Sequence, residues 1–429
     1  MIAEDIVDTA MQKAQGAQVS VRQKESTAVS FVSDALKSTE SSQTTEIKVK
    51  VVVEGKIGVS STTDIYDLAG VVGRALETAE FGNTCRFTLP GFAPGPRVAV
   101  YDEAVVPVTK SDMIQIGRDM QDSIKSYDPD VSFTAGIAKS LEKREFANSE
   151  GAHFTEESTF FEAWALGKRA QESGIVEGWH ARSCKTRAID PLAIAGRAVE
   201  ILRMAEKTAT VRSGTMPVIF APSAMDVFLL PFRLGLDGKH VFTGYSSLRS
   251  EMGRQIVDPR LSLTDDPTID FGLLSGSYDD EGVPRRAIPL VEDGVVRSFL
   301  YDLASAGQAG TQSNGHGEGR EFSNVIINPG DTPYEEMIRN TQQGLLVFYV
   351  LGLGQGNPVS GDFSVGVRVG FKIEDGEVVG RVRNTMLAGN VYDALNNVTA
   401  ISDKQEWARF WYSGAYPYIQ VGTLNVVTR

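Results

Sequence analysis

His316-Gly317-Glu318, with Glu321 three residues further on, is the one cluster in this chain from which a metal site or an acid–base pair could begin, since an imidazole and two carboxylates can share a cation or a proton. The glycine-rich run from Gly310 to Gly319 around it reads as a mobile loop, so His316 is expected to be solvated rather than ligating. The four histidines, His153, His180, His240 and His316, include no pair at zinc-binding spacing. Gly352-Leu353-Gly354-Gln355-Gly356 has the letters of a phosphate loop, but such a loop must run into a helix, and Asn357-Pro358-Val359-Ser360-Gly361 follows. A tight β-turn is expected there. Cys184 has Lys185 beside its thiol but no histidine at a recognisable spacing, and reads as a structural thiol. Neither G-x-x-x-x-G-K-[ST] nor G-x-S-x-G occurs.

The elements that must position these residues are written in their periodicity. Apolar residues at Ile2, Ile6, Ala10, Met11 and Ala14 predict a helix over Ile2 to Ala17. Val19 to Gln23, Thr27 to Phe31 and Ile47 to Val53 read as strands, and Asp64 or Asp67 can cap a second helix carrying Leu68, Val71, Val72, Ala75 and Leu76. The order then returns: Ser111 as N-cap of a helix with Met113, Ile114, Gly117, Met120 and Ile124, strands from Val131 to about Trp179, and a closing helix started by Asp190-Pro191. Gly73-Arg74-Ala75-Leu76-Glu77 stands 123 positions before Gly196-Arg197-Ala198-Val199-Glu200, and the same offset carries Asp67 to Asp190. An internal duplication follows, with Leu89 to Pro96 as a Pro/Gly-rich boundary or ordered crossing. Beyond Ser213-Gly214 short β-like runs dominate, with hairpin turns at Asp293-Gly294 and Asp375-Gly376, and Leu345 to Leu353 reads as a buried strand. The expected fold is α+β: a duplicated helix and antiparallel-sheet portion, divided into 1–105 and 106–212, followed by a β-rich domain over 213–429.

The chain has 429 residues, 42% hydrophobic and 23% charged, which is globular composition with length enough for several cores. Its formal net charge of -13 opposes a polyanion, so direct nucleic-acid binding is not expected. Cys85 and Cys184 fall outside any C-x-x-C spacing, which suits a reducing compartment. With acid at Glu4-Asp5 where a secretory signal needs a base, and no apolar run long enough to cross a bilayer, a cytoplasmic protein without membrane association is expected.

The last two hundred residues resemble the TldD/PmbA family, long labelled modulators of DNA gyrase and read as peptidase subunits. The words that carry the resemblance run in order: Gly214-Thr215-Met216-Pro217-Val218, Gly244-Tyr245-Ser246-Ser247-Leu248, Asp265-Asp266-Pro267, Asp280-Glu281-Gly282-Val283-Pro284, Glu292-Asp293-Gly294, Asn328-Pro329-Gly330, Gly361-Asp362-Phe363-Ser364 and Gly389-Asn390. Asn148-Ser149-Glu150-Gly151 extends the likeness upstream. The TldD-like branch of that family carries H-E-x-x-x-H in a helix before a G-L-E-G-like word, with a later Cys completing a zinc site. Here Gly235-Leu236-Asp237-Gly238 resembles the following word, so Leu229, Leu230 and Leu234 stand at the ligand and base positions, and neither cysteine falls in the C-terminal region. Pro231 would disturb a helix unless it lay in the first turn.

The resemblance therefore implies the metal-free TldE/PmbA-like branch, with no catalytic residues and no cofactor of its own. Its implied role is a non-catalytic subunit of a heterodimeric zinc metallopeptidase for unfolded peptides, the zinc residing in a TldD-like partner. Asn357, Asp362, Ser364 and Asn390 are the candidates for lining the peptide channel; turn-stabilising geometry beside glycines is the competing reading of each. Two alternatives stand beside this one: an independent peptidase or hydrolase with a site around His316, Glu318 and Glu321, and a homodimeric scaffold.

Overall fold

The computed structural model describes residues 2–428 except Ser173, Glu318 and Arg320. The chain opens on α1 (Ile2–Met11), which buries Ala3, Ile6, Val7 and Ala10 on one face. It stops short of Ala17 because β1 (Gly16–Val32) takes the backbone into a sheet, Gln15 N–H already donating to Val52 O at 2.8 Å. Val19 to Gln23 and Thr27 to Phe31 are two parts of this one strand. The polar residues between them stay extended because they are paired on both sides, Lys24 with Thr44 and Glu142, for example. The segment ending at Val53 begins at Ala35 as β2 (Ala35–Val53), and β3 (Lys56–Thr62) and α2 (Leu68–Thr78) complete the block.

The second block repeats that order: α3 (Lys110–Tyr127), β4 (Ser132–Asn148), β5 (His153–Gln171), β6 (Gly174–Cys184) and α4 (Pro191–Met204). Thr109, not Ser111, caps α3: its hydroxyl accepts the Asp112 N–H while the Asp112 carboxylate accepts the Thr109 N–H, a reciprocal capping box that Ser111 has no acid to complete. Asp190 caps α4 as its sequence predicts, accepting from Leu192 and Ala193. All six strands form one antiparallel sheet in the order β3-β2-β1-β4-β5-β6, the two blocks joined where β1 pairs with β4. The blocks share a packing device. A Cβ on Gly58 of β3 would come within 2.0 Å of the Ala75 carbonyl of α2, and one on Gly178 of β6 within 2.1 Å of the Ala198 carbonyl of α4. In each block a glycine thus lets the closing helix settle on the third strand, against alanines related by the 123-residue offset.

From Gly214 the chain is mainly strand. A ring of β7 (Gly214–Phe220), β12 (Gln343–Leu351), β13 (Asp362–Glu374), β15 (Thr385–Asn390) and β17 (Ser413–Thr428) closes when β17 pairs with β7. The hairpin of β9 (Ile288–Glu292) and β10 (Val295–Val296) extends the sheet through β8 (Leu263–Asp265) and β11 (Asn324–Ile327). β14 (Glu377–Arg381) and β16 (Val398–Arg409) flank the ring. Both expected hairpin turns form, with positive φ at Asp293, Gly294, Asp375 and Gly376. Among the described residues, five short α-helices fill the connections: α5 (Asp226–Gly235), α6 (Gly238–Thr243), α7 (Leu303–Ala309), α8 (Tyr334–Arg339) and α9 (Val391–Asn396).

One core cluster joins Met113, Met120 and Ile124 of α3 and Ala198 and Leu202 of α4 to Leu346, Phe371 and Tyr418 of the C-terminal strands, so the portions share apolar packing. A polar seam adds to it. Leu89 to Pro96 is an ordered crossing, with Gly95 N–H on the Tyr278 hydroxyl at 2.8 Å. Lys50 Nζ on β2 meets Glu281 Oε1 at 3.2 Å, both buried, and Arg144 on β4 donates to Asp279 O at 2.8 Å and Asp280 Oδ1 at 3.0 Å. Replacing Gly178 by alanine should lower unfolding stability by about 1–3 kcal/mol, because the new methyl displaces α4. Denaturant titration checks this, and an unchanged midpoint would contradict the close approach.

Candidate functional site: a cavity between the sheet and the barrel

Strand alternation sets up a two-sided wall. On β5, Phe161, Ala163 and Ala165 point into the core, which leaves Glu162, Trp164 and Leu166 on the opposite face. On β6 the same face carries Glu177, Trp179, Ala181 and Ser183, and Leu166 pairs across the ladder with Trp179. This face meets Tyr349, Val350, Arg368, Val369 and Phe410 of the C-terminal domain around a cavity of about 550 Å³. That size suits a ligand or a peptide segment. Trp179 and Tyr349 stand edge to face, ring centres 5.2 Å apart, and the Tyr349 hydroxyl donates to Trp179 O at 2.9 Å. Two ion pairs bridge the domains at the wall: Arg368 Nε to Glu177 Oε1 at 2.5 Å and Arg409 Nη1 to Glu162 Oε2 at 3.6 Å.

Asp226, the first residue of α5, also lines this cavity. Its carboxylate accepts the backbone N–H groups of Trp411 at 2.8 Å and Tyr412 at 3.3 Å. Burial pushes its carboxyl up to about 6, against the opposing pull of those two donors. No periodicity singles out Asp226 in the sequence. For Trp164 and Trp179 a signal exists, the period-2 placement of large residues and acids along two neighbouring strands.

α5 carries the positions matched to H-E-x-x-x-H. Leu229 is fully buried, and Leu230 and Leu234 are half-buried. The helix runs through Pro231, which sits beyond the first turn; the buried side chains of Val227, Phe228, Leu229 and Phe232 outweigh the one backbone bond that proline forfeits. Arg233, between the matched positions, is buried in an ionic network, donating to Asp237 at 3.2 Å and by a two-pronged contact to Glu321 at 2.6 and 2.9 Å. Asp237 in turn caps α6.

The structure separates the cluster around His316. Its imidazole is buried, not solvated: Nε2 stands 2.6 Å from Asp265 Oδ2, which also accepts the Ser323 hydroxyl. The partner lies 51 positions away on β8, beyond the reach of local composition. Glu321 faces Arg233 instead, and Glu318 lies outside the described residues. Among the described residues no group of three or more His, Cys, Asp or Glu has the arrangement to hold a metal ion.

The four channel candidates are brought together only in part. Asp362 and Asn390 face each other across β13 and β15, and Asn390 Nδ2 donates to Asp362 Oδ1 at 2.9 Å. That bond, with one from Ser360, holds the Asp362 carboxyl below its ordinary range. Asn390 also caps α9, Asn357 O accepts the Asp362 N–H, and Ser364 N–H reaches Gln355 O. None of the four lines the large cavity.

The model of the PmbA/TldA metallopeptidase C-terminal domain matches residues 213–428, just over half of the chain. The chain belongs to the TldD/PmbA family. Domain 1 of this metallopeptidase family matches residues 17–79, and its central domain matches 104–206. Among TldD/PmbA relatives, Metalloprotease PmbA of Escherichia coli O157:H7 is 24% identical over 443 residues, covering 94% of this chain and 92% of that one. The crystal structure of TldE from Thermococcus kodakarensis superposes with a TM-score of 0.91 at 20% identity, covering 100% of both chains. A Thermotoga maritima protein named for modulation of a DNA gyrase gives 0.91 at 21% identity, covering 99% of both. These structures share the fold. Hydrocarbon at Leu229, Leu230 and Leu234 offers a metal no lone pair.

The raised carboxyl of Asp226 makes a pH-dependent prediction. Its folded value of about 6 exceeds the ordinary 3.8, so the folded chain holds the proton more tightly. The ionised group therefore costs stability above pH 6, and the cost fades as pH falls from 6 towards 4. Asp226→Asn, which keeps an acceptor for the Trp411 N–H, should gain about 1–3 kcal/mol over the natural chain at pH 8 and little at pH 4.5. Denaturant melts at the two pH values test this; no gain at pH 8 would refute it.

Proposed function

We propose that this chain is a non-catalytic, TldE/PmbA-like subunit of a heterodimeric zinc metallopeptidase, shaping the path of an unfolded peptide while a TldD-like partner supplies metal, base and nucleophilic water. The observation that carries this reading is α5. At the positions matched to the metal ligands and base it presents Leu229, Leu230 and Leu234, and it is pinned by Arg233 to Asp237 and Glu321. Those three side chains offer neither a donor for zinc nor a base for water.

Membership of a metallopeptidase family supports the reaction class. The cavity between sheet and barrel supports peptide contact, and the exposed aromatic pair Phe410 and Trp411 at its margin offers apolar surface to substrate or partner. The two free cysteines suit a cytoplasmic setting. No helix is long and apolar enough to cross a membrane.

The test is reconstitution. Mixed with a TldD-like catalytic chain, this protein should raise cleavage of an unfolded, fluorogenically labelled peptide at least several-fold over the catalytic chain alone, and should cleave nothing by itself. Turnover by this chain alone, or a catalytic chain indifferent to its addition, would refute the assignment.

A further inference from the structure

We infer that the cavity between β5, β6 and the barrel holds the side chain of a lysine or arginine in an extended peptide, its stem against the aromatic walls and its charge towards Asp226. This assignment rests on the reading of the chain as a peptide-handling subunit and names the side-chain class it recognises.

Charge decides the ligand. The cavity is lined by three carboxylates and two guanidinium groups, leaving one negative charge in excess. Glu177 is engaged by Arg368 and Glu162 by Arg409 and the Ser183 hydroxyl. Asp226 is the remaining acid, and no cation pairs with it among the described residues; its contacts are the two backbone N–H groups. A carboxylate has about four lone-pair sites, so acceptor capacity remains for an incoming donor. The walls favour the same ligand. Trp164, Trp179 and Tyr349 line the space, and a cation beside indole gains most where water is excluded. Lys and Arg combine a terminal charge with an apolar stem, which an aromatic wall ending in a carboxylate complements. Burial also keeps the Asp226 carboxyl near 6, so it is largely ionised at neutral pH and ready to meet that charge.

The test uses the purified full chain and four probes: acetyl-Ala-Ala-Lys-Ala-Ala-amide, the same peptide with norleucine or with glutamate at the centre, and acetyl-lysine amide. Binding is followed by calorimetry and by tryptophan fluorescence, two of the four tryptophans being in the cavity. The lysine peptide should bind at least about tenfold tighter than the norleucine peptide. The glutamate peptide should bind more weakly still. Asp226→Asn should erase the preference for lysine while keeping the affinity for norleucine, which a merely structural role for Asp226 would not do. Equal binding of lysine and norleucine peptides by the natural chain overturns the inference, and this comparison needs no variant to fold. A lysine preference that survives Asp226→Asn, or no binding of the lysine peptide at millimolar concentration, also overturns it. If acetyl-lysine amide binds as tightly as the pentapeptide, the extended-peptide part falls. Lysine preference without stimulation of a catalytic chain would remove the subunit reading and keep the cavity assignment; stimulation without lysine preference would do the reverse.

Discussion

A lysine and a glutamate withdrawn from water must find each other, and the meeting of Lys50 with Glu281 fixes how the N-terminal sheet sits on the C-terminal domain. Glu281 is held from two sides, by the ammonium through one oxygen and by the Leu303 N–H through the other. Burial still pushes its carboxyl up to about 7, with Lys50 pulling the other way. A pair in such surroundings adds little net stability, yet removing either partner strands a charge, so the arrangement is specified more than it is strengthened. The neighbouring contacts follow from it. Gln18 and Arg144 read the backbone of the same loop, and Tyr278 stacks on Phe154, which stacks on Phe146. Gly282 passes over Phe146 with positive φ, where a Cβ would come within 2.5 Å of the ring. The family word Asp280 to Pro284 thus carries the seam, and the ion pairs of Glu162 and Glu177 tie the same two bodies together at the cavity wall.

What the sequence made legible is what local rules govern. Asp190-Pro191, Asp293-Gly294 and Asp375-Gly376 each state their geometry within two residues, and the closing helices declare their buried face by spacing alone. The repeated element order was readable because Ala75 and Ala198 meet the same demand, a small residue under a strand glycine. The cavity was not readable. Its walls come from β5, β6, the start of α5, β12, β13 and the end of β16, so no window of sequence contains two of its polar partners from opposite domains. His316 misled for a related reason: glycines describe the path of a chain, while Asp265, which captures the imidazole, arrives from another strand. At Thr109 the rule was right and the residue wrong, because the capping box needs Asp112 three positions on.

α5 shows what a helix does with leucine at these positions. Leucines at the matched sites spend their surface on the core and its edge, and the one charged residue among them, Arg233, is turned to Asp237 and Glu321. That network ties the segment after His316 to the helix, so the region remains a packing centre. Asp226, about two turns earlier, lines the cavity instead, so the ionic network and the cavity wall lie at opposite ends of the same ten residues.

The closure of the ring by β17 has a consequence in time. β7 is complete at Phe220, but the strand that seals it starts at Ser413, about 190 residues later. At ordinary synthesis rates roughly 10 to 40 s separate the two. Throughout that interval one edge of β7 stands open, and β17 has still to pair with β7, β11, β15 and β16. The six-stranded sheet completes its own strand pairings by Cys184, although buried Lys50, Arg144 and the α3–α4 core still await residues of the C-terminal domain. Vectorial synthesis therefore favours a nascent chain with a finished sheet and an unsealed barrel, and that half-made state is the one a holding chaperone or a protease would meet.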